Sequence, residues 1–272
     1  MTLRVISYGG GVQSTALIVL AVQGKLDKIM GGPIDAALFS NVGDDSELPE
    51  TLDFVRNYAI PYGELNGLPV HELQRIKRDG TPETLMGRLM RTDRRSVDIP
   101  VRMQHNGAPG NRNCTKTFKM DVVNKWVKQH GASEDNPAKV AIGISTDEMH
   151  RAGNKRAEKW EIPIYPLLEL GIDRGMCQKI IADSGLPVPP KSSCFFCPFH
   201  RPESFKRLRT ENRPLFDKAV ALEVHINTVR DAIGKDHVYL TRFGIPLNEA
   251  IDHDQPSMFD GPESCDDGYC WT

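Results

Sequence analysis

Short apolar runs alternate along much of the chain with longer segments whose apolar residues recur at helical spacing. Leu3 to Ser7 has the length and continuity of a buried strand, and Ser14 to Val22 is a helix so apolar that it must be covered on most sides. Ile34 to Ser40 predicts a second strand. Asn41 to Asp45 follows as a loop, then Pro49 to Tyr58 as a helix with proline in its first turn. Tyr62 to Leu65 predicts a third strand and Val140 to Ser145 a fourth, with an amphipathic helix from about Thr115 to Lys128 between them. This alternation predicts an α/β fold, a doubly wound parallel sheet with helices on both faces. Further helices are expected between Gly171 and Ser184 and from Arg201 to Gly234. The expected organisation is an α/β domain over residues 1–200 with an insertion at about 81–113, a helical C-terminal region over 201–251, and a cysteine-containing tail over 252–272.

The insertion breaks the rhythm. It is rich in arginine, glycine and proline and carries Arg88, Arg91, Arg94, Arg95, Arg102 and Arg112. A solvated surface loop is one reading; a lid that gathers phosphate or sulfate groups over the sheet edge is the other. A formal net charge of −2 over 272 residues argues against indiscriminate coating of nucleic acid, although local basic clusters leave nucleic acid open as a partner. No apolar run is long enough to span a bilayer and no leader pattern is seen, so the expectation is a cytoplasmic protein that does not engage membranes. Six cysteines in such a chain read as ligands, reactive thiols or core residues rather than a disulfide framework.

The densest local signal is Ser7-Tyr8-Gly9-Gly10-Gly11-Val12-Gln13-Ser14, where three glycines join a strand to a helix. Such a turn can hold an anion: glycines let oxyanions approach the backbone, and the N–H groups lie beside the positive end of the helix dipole. Ser7, Ser14 and Thr15 add hydroxyls. An ordinary tight βα turn is the alternative. The pattern is neither G-x-G-x-x-G nor the Walker sequence, since no lysine follows the glycines.

Gly9-Gly10-Gly11-Val12-Gln13-Ser14 resembles the pyrophosphatase loop S-G-G-x-D-S of the adenine nucleotide alpha hydrolase superfamily, with Gly9 and Gln13 as departures. The glutamine resembles the phosphoadenylyl-sulfate (PAPS) reductase branch, whose loop reads S-F-G-x-Q-[AS]. Asn41-Val42-Gly43 with Leu48-Pro49-Glu50-Thr51 is similar to that family's D-T-G followed by P-E-T. Gly143-Ile144-Ser145 with Arg151 resembles its G-x-[RS] strand end and following arginine. Leu186 to Pro190, leading to Cys194-Phe195-Phe196-Cys197, resembles the L-P-x-x-P segment before its C-x-x-C. The resemblance spans roughly residues 3 to 200. It implies that Ser7, Gly9, Gly10, Gly11, Gln13 and Ser14 bind the phosphate or sulfate end of a nucleotide, ATP or PAPS. Phe39, Ser40 and Asn41 with Gly143, Ile144 and Ser145 would cradle its adenosine, and Arg112, Lys116, Lys119 and Arg151 would supply cations. Asn41 stands where the family has aspartate, which keeps hydrogen-bonding shape and forfeits a charge. Asp147 and Glu148 are candidates for magnesium if ATP is bound.

Cys194 and Cys197 form a C-x-x-C pair with His200 three residues on, spacing that points to a metal because two thiolates on one tight turn chelate. In the adenylyl-sulfate reductases that the chain resembles, two adjacent cysteines and a later C-x-x-C hold a four-iron four-sulfur cluster. Here Cys114 is kept and Asn113 replaces its neighbour. Two expectations compete. Cys114, Cys194 and Cys197 hold such a cluster with one iron left for His200, a substrate or sulfide, or the three cysteines and His200 form a closed zinc site. Cys177 is expected in the core. Cys265 and Cys270, in Glu263-Ser264-Cys265-Asp266-Asp267-Gly268-Tyr269-Cys270, occupy the place of the family's catalytic tail cysteine and are the candidate nucleophile and resolving thiol. A tail without chemistry, or two more metal ligands, is the alternative.

The implied enzyme performs adenine-nucleotide-dependent sulfur chemistry. It either reduces PAPS or adenylyl sulfate, or it cleaves ATP to adenylate a substrate that then receives sulfur. An electron- or sulfur-donor protein and self-association into a homo-oligomer belong to that expectation. A different class is a zinc-stapled nucleotide-binding subunit of a nucleic-acid modification complex.

Overall fold

The structure, a computed structural model, describes residues 2–153 and 158–252. Seven strands occur among them: β1 (Arg4–Tyr8), β2 (Ala36–Asn41), β3 (Val70–Gln74), β4 (Arg102–Met103), β5 (Ala138–Ile142), β6 (Glu161–Ile164) and β7 (Val238–Tyr239). Five form one sheet in the order β3-β2-β1-β5-β6, and every pairing in it is parallel. β4 and β7 make a separate antiparallel ladder. The molecule is therefore an α/β protein built on a parallel sheet.

Strand alternation divides the apolar residues between the two faces. Ile6, Tyr8, Ala37, Phe39 and Ala141 pack with the Val12–Val22 helix and with Cys177 and Ile181 of the Arg174–Asp183 helix. Val5, Ala36, Leu38, Val140 and Ile142 pack with Val123 and Val127 of the Asp121–Gln129 helix. Every residue of the first helix from Val12 to Leu20 is buried, which is why its sequence shows no polar stripe.

The third apolar cluster lies beyond the sheet. Leu85, Ile99 and Val101 join Phe118, Phe195 and Phe196 and the helices Pro202–Glu211 and Arg213–Asp231, which contribute Phe205, Phe216 and Leu222. Residues 81–113 thus carry core side chains, and their apolar positions were hidden by the surrounding arginines.

The third strand is a correction. Tyr62 to Leu65 lies in the helix Ile60–Leu65, which continues Pro49–Phe54 through a π turn, Val55–Ala59. The turn ends where Ile60 donates to the Val55 carbonyl, immediately before Pro61, the residue with no N–H to give. The strand itself is Val70–Gln74, at the sheet edge. The other edge, β6, contains Pro163, a residue that sheets confine mainly to such positions.

Candidate functional site

β1 delivers the chain into the glycine turn. Gly10 has φ +77°, and a Cβ there would lie 3.0 Å from Thr51 Cγ2 and 3.3 Å from Phe39 Cε2, so both conformation and space require glycine. Inside the turn the Gly9 N–H donates to Ser14 Oγ at 3.2 Å. The Gly11 carbonyl accepts from Ser14 Oγ at 3.1 Å and Thr15 Oγ1 at 2.9 Å. One amide and two hydroxyls are therefore used internally. Gly11 is the N-cap of the helix and supplies no side-chain cap to its first turn, the positive end of the helix dipole. Ser7 Oγ, at the end of β1, is buried without a hydrogen-bond partner.

The opposite wall follows β5, the neighbour of β1 on the side where the sheet order reverses. In open parallel sheets such a switch point is where the crevice forms. A Cβ on Gly143 would stand 2.9 Å from Ser14 N, so this glycine lets the strand end lie directly against the first turn of the helix. Ile144 and Ser145 are buried beside it. Gln13 is buried: its Nε2 donates to Glu148 Oε1 at 3.1 Å, and its Oε1 accepts from Arg174 Nη1 at 3.3 Å. Glu148 also takes Arg151, and the two side chains are 5% and 2% exposed. Asp147 accepts the Arg174 N–H at 3.1 Å. Gln13, Glu148 and Arg151 thus brace the two walls against each other.

At the end of β2, Phe39 packs on Tyr8 with ring centroids 5.8 Å apart, and Ser40 donates to the Phe118 carbonyl at 2.6 Å. Asn41 Nδ2 donates to Asp44 Oδ1 and to Glu72 Oε1, both at 2.7 Å, and its Oδ1 accepts the Gly43 N–H at 2.8 Å. Arg56 closes the group, 2.8 Å from Asp44 and 2.7 Å from Glu72. Its hydrogen bonds hold both carboxyls below the usual range. This explains the amide at position 41, since an aspartate would add a third negative charge and lose the two donors.

The cysteine turn is tied to the glycine turn. Ser192 Oγ donates to the Gly9 carbonyl, and Glu47 and Cys194 form an antiparallel bridge in which Leu48 N–H reaches the Ser193 carbonyl at 3.0 Å. Cys197 N–H then donates to Cys194 O at 3.1 Å, and His200 N–H to Cys197 O at 2.9 Å. His200 Nε2 lies 2.8 Å from Ser193 Oγ, while Nδ1 is enclosed with no hydrogen-bond partner. Burial, with the charges of Lys191 and Arg207 added, pushes this imidazole down to about 3. A neutral ring anchored through one nitrogen is the form that ligates metals.

Cys114 begins the π turn Thr115–Met120 and packs against the same apolar cluster as Cys194. None of Cys114, Cys177, Cys194 and Cys197 is in a disulfide. Among the described residues, no three His, Cys, Asp or Glu side chains are grouped closely enough to share one ion as they stand. The enclosed His200 nitrogen and the reduced thiols are the features that fit a metal. Cys177 is buried in the core, its thiol pushed up to about 12 by burial. Lys116 pairs with Asp121 at 3.0 Å, whereas Lys119 is buried. Arg112 lies over Phe199, 5.1 Å from the ring centroid. Cys265 and Cys270 lie outside the described residues.

Glu47 carried no signal in the sequence. It is 1% exposed, neither carboxyl oxygen has a partner of ordinary hydrogen-bond geometry, and burial pushes the carboxyl up against the opposing pull of Lys119. Its backbone is bridged to Cys194, 147 residues along the chain. No family model, curated protein or solved structure matches this chain.

Proposed function

We infer that the protein binds an adenine nucleotide at the glycine turn and carries out sulfur chemistry beside it, in the manner of PAPS reductases. The sheet is read as doubly wound, with the nucleotide across the β1/β5 crevice. The observation that carries this reading is the attachment of the cysteine turn to the Gly9 carbonyl through Ser192, next to a helix end with no side-chain cap. An oxyanion at the first-turn amides would then sit beside thiol chemistry.

Gly10 and Gly11 supply backbone approach, Ser7 supplies a hydroxyl, and Gly143 to Ser145 form the second wall. Gln13, Glu148 and Arg151 position that wall. Cys114, Cys194 and Cys197, with His200, are the residues that would hold a four-iron four-sulfur cluster, or zinc in the alternative. When bound, a cluster supplies an iron that can take sulfur. For a sulfonated nucleotide, a Cys265 or Cys270 thiolate would attack the sulfonate sulfur, forming an S–S bond as the S–O bond to the nucleotide breaks. The second thiol would then release sulfite and leave a disulfide. For ATP, cleavage between the α- and β-phosphates would give pyrophosphate and an adenylated acceptor.

Anaerobically reconstituted protein incubated with labelled PAPS or ATP tests this reading. Sulfite and adenosine 3′,5′-bisphosphate support reduction, and pyrophosphate with AMP supports adenylation. No product and no nucleotide binding would overturn it. Iron, sulfide and zinc analysis of the same sample distinguishes cluster from zinc.

A further inference from the structure

One pocket is set apart by its charge. Arg88, Arg91, Arg94 and Arg95, from the helix Leu85–Leu89 and the segment after it, line it together with Arg230 near the end of the helix Arg213–Asp231. The chain as a whole carries a net charge of −2, so this gathering of guanidinium groups is local. Part of it is held by acids. Asp98, buried among them, takes Arg88 Nε at 3.0 Å and Arg94 Nη2 at 3.2 Å, and its carbonyl accepts the Cys114 N–H at 2.8 Å. Arg91 reaches both oxygens of Asp93, through Nε at 2.9 Å and Nη2 at 2.6 Å. Three further cations have no ion pair among the described residues. The Arg95 side chain makes no hydrogen bond there either. Arg230 uses only its Nε, which donates to the Asp236 carbonyl at 2.6 Å. Lys235 Nζ donates to the Arg95 carbonyl at 2.7 Å and so ties the two walls together. Burial pushes the Arg230 guanidinium down, and the Asp236 charge opposes this without coming within ion-pair distance.

Asp93 and Asp98 fix the planes of three guanidinium forks before any ligand arrives, and a fork of this kind matches two oxygens of a phosphate. Arg95, Arg230 and Lys235 add positive charge beside them. Together these cations exceed what one phosphate group can accept. The other walls are mostly aliphatic, Leu89 and Val97 on one side and Ile226 and Val229 on the other. No aromatic face is offered for stacking and no side-chain amide for reading base edges. We propose that this pocket takes successive phosphates of a nucleic-acid strand, holding its backbone without regard to sequence. The pocket shares no residue with the glycine turn, and the inference does not rest on the nucleotide reading.

Fluorescence anisotropy of the full chain with a short labelled oligothymidylate, and with a mixed-sequence strand of the same length, tests the pocket over a range of salt concentrations. The two strands are expected to bind alike, with the logarithm of affinity falling linearly with the logarithm of salt. Arg95→Gln and Arg230→Gln should each weaken binding about fivefold at about 0.1 M salt and make the salt slope shallower by about 0.7. Arg213→Gln, which removes a surface pair with Asp217 at the far end of the same helix, should change neither. Because the Arg95 side chain has no partner among the described residues, Arg95→Gln should melt at the wild-type temperature, which separates lost binding from lost folding. Inorganic triphosphate serves as competitor: weak displacement supports a strand, and tighter binding of triphosphate than of either strand would overturn the proposal. So would absence of wild-type binding at low salt, wild-type affinity in both pocket variants, or an equal loss in Arg213→Gln. Calorimetry with ATP on the same proteins should give wild-type values, so failure here is distinct from failure at the glycine turn.

Discussion

The turns after β1 and β2 lie side by side at one end of the sheet and treat their polar groups differently. After β2, Asn41, Asp44, Glu72 and Arg56 satisfy one another in a closed set of hydrogen bonds. After β1, Ser7 keeps an enclosed hydroxyl with no partner and the helix begins without a side-chain cap. Buried polar groups are nearly always paired in folded proteins, so an unpaired group at a strand end marks a place kept for something else. The arginines repeat the contrast, with Arg88 and Arg94 neutralised by Asp98 and Arg102 left with an unpartnered Nε.

Substitutions can break this comparison. The largest effect is expected from Gly143→Ala, whose methyl group would meet Ser14 N at 2.9 Å. Overpacking of this kind costs about 1–3 kcal/mol, and the displaced helix end should weaken nucleotide binding more than tenfold, as read by denaturant titration and calorimetry. Ser7→Ala should separate binding from folding. Loss of one ligand hydrogen bond is worth about 1 kcal/mol, roughly fivefold in affinity, while stability without ligand stays level or rises because an unpartnered hydroxyl is removed. A matching loss of stability and affinity in this variant would show that Ser7 serves the fold.

Arg56→Met should do the opposite. It opens a partly exposed ion-pair set and lowers stability by under about 1 kcal/mol, leaving nucleotide affinity unchanged. The smallest effect is its pH signature. Asp44 and Glu72 have lowered folded values, so their contribution is complete above the ordinary carboxylate range and is lost as pH falls through those lowered values. Unfolding midpoints measured across the acid range should show that loss in wild type and a flatter profile in Arg56→Met.

Much of this frame was legible in the chain. β1, β2 and β5 announce themselves as continuous apolar runs because parallel central strands are buried on both faces. Gly10 was legible as a turn position that calls for glycine, whereas Gly143 was reached only through the resemblance, its close approach to Ser14 N appearing in the fold. β3 was not, since Val70-His71-Glu72-Leu73-Gln74 is an edge strand with polar residues on it, and the Tyr62 to Leu65 segment that drew attention instead forms the end of a helix. Gln13 and Arg151 were read from the resemblance as ligand contacts; that both reach Glu148, 135 and 3 residues away, appears only in the fold. Glu47 and Arg102 depend in the same way on long-range closure. A residue's type is written in the sequence; whether its hydrogen bonds are already taken is decided by elements far along the chain.

The central claim is that the glycine turn, and not the satisfied turn beside it, receives an adenine nucleotide. Amide-resolved NMR of the deuterated full chain, titrated with ATP and with PAPS, tests this directly. The prediction is saturable shifts at Gly9 to Ser14 and at Gly143 to Ser145, with Gly43 to Asp45 unmoved. Silence at the glycine turn, or shifts confined to the turn after β2, would contradict it.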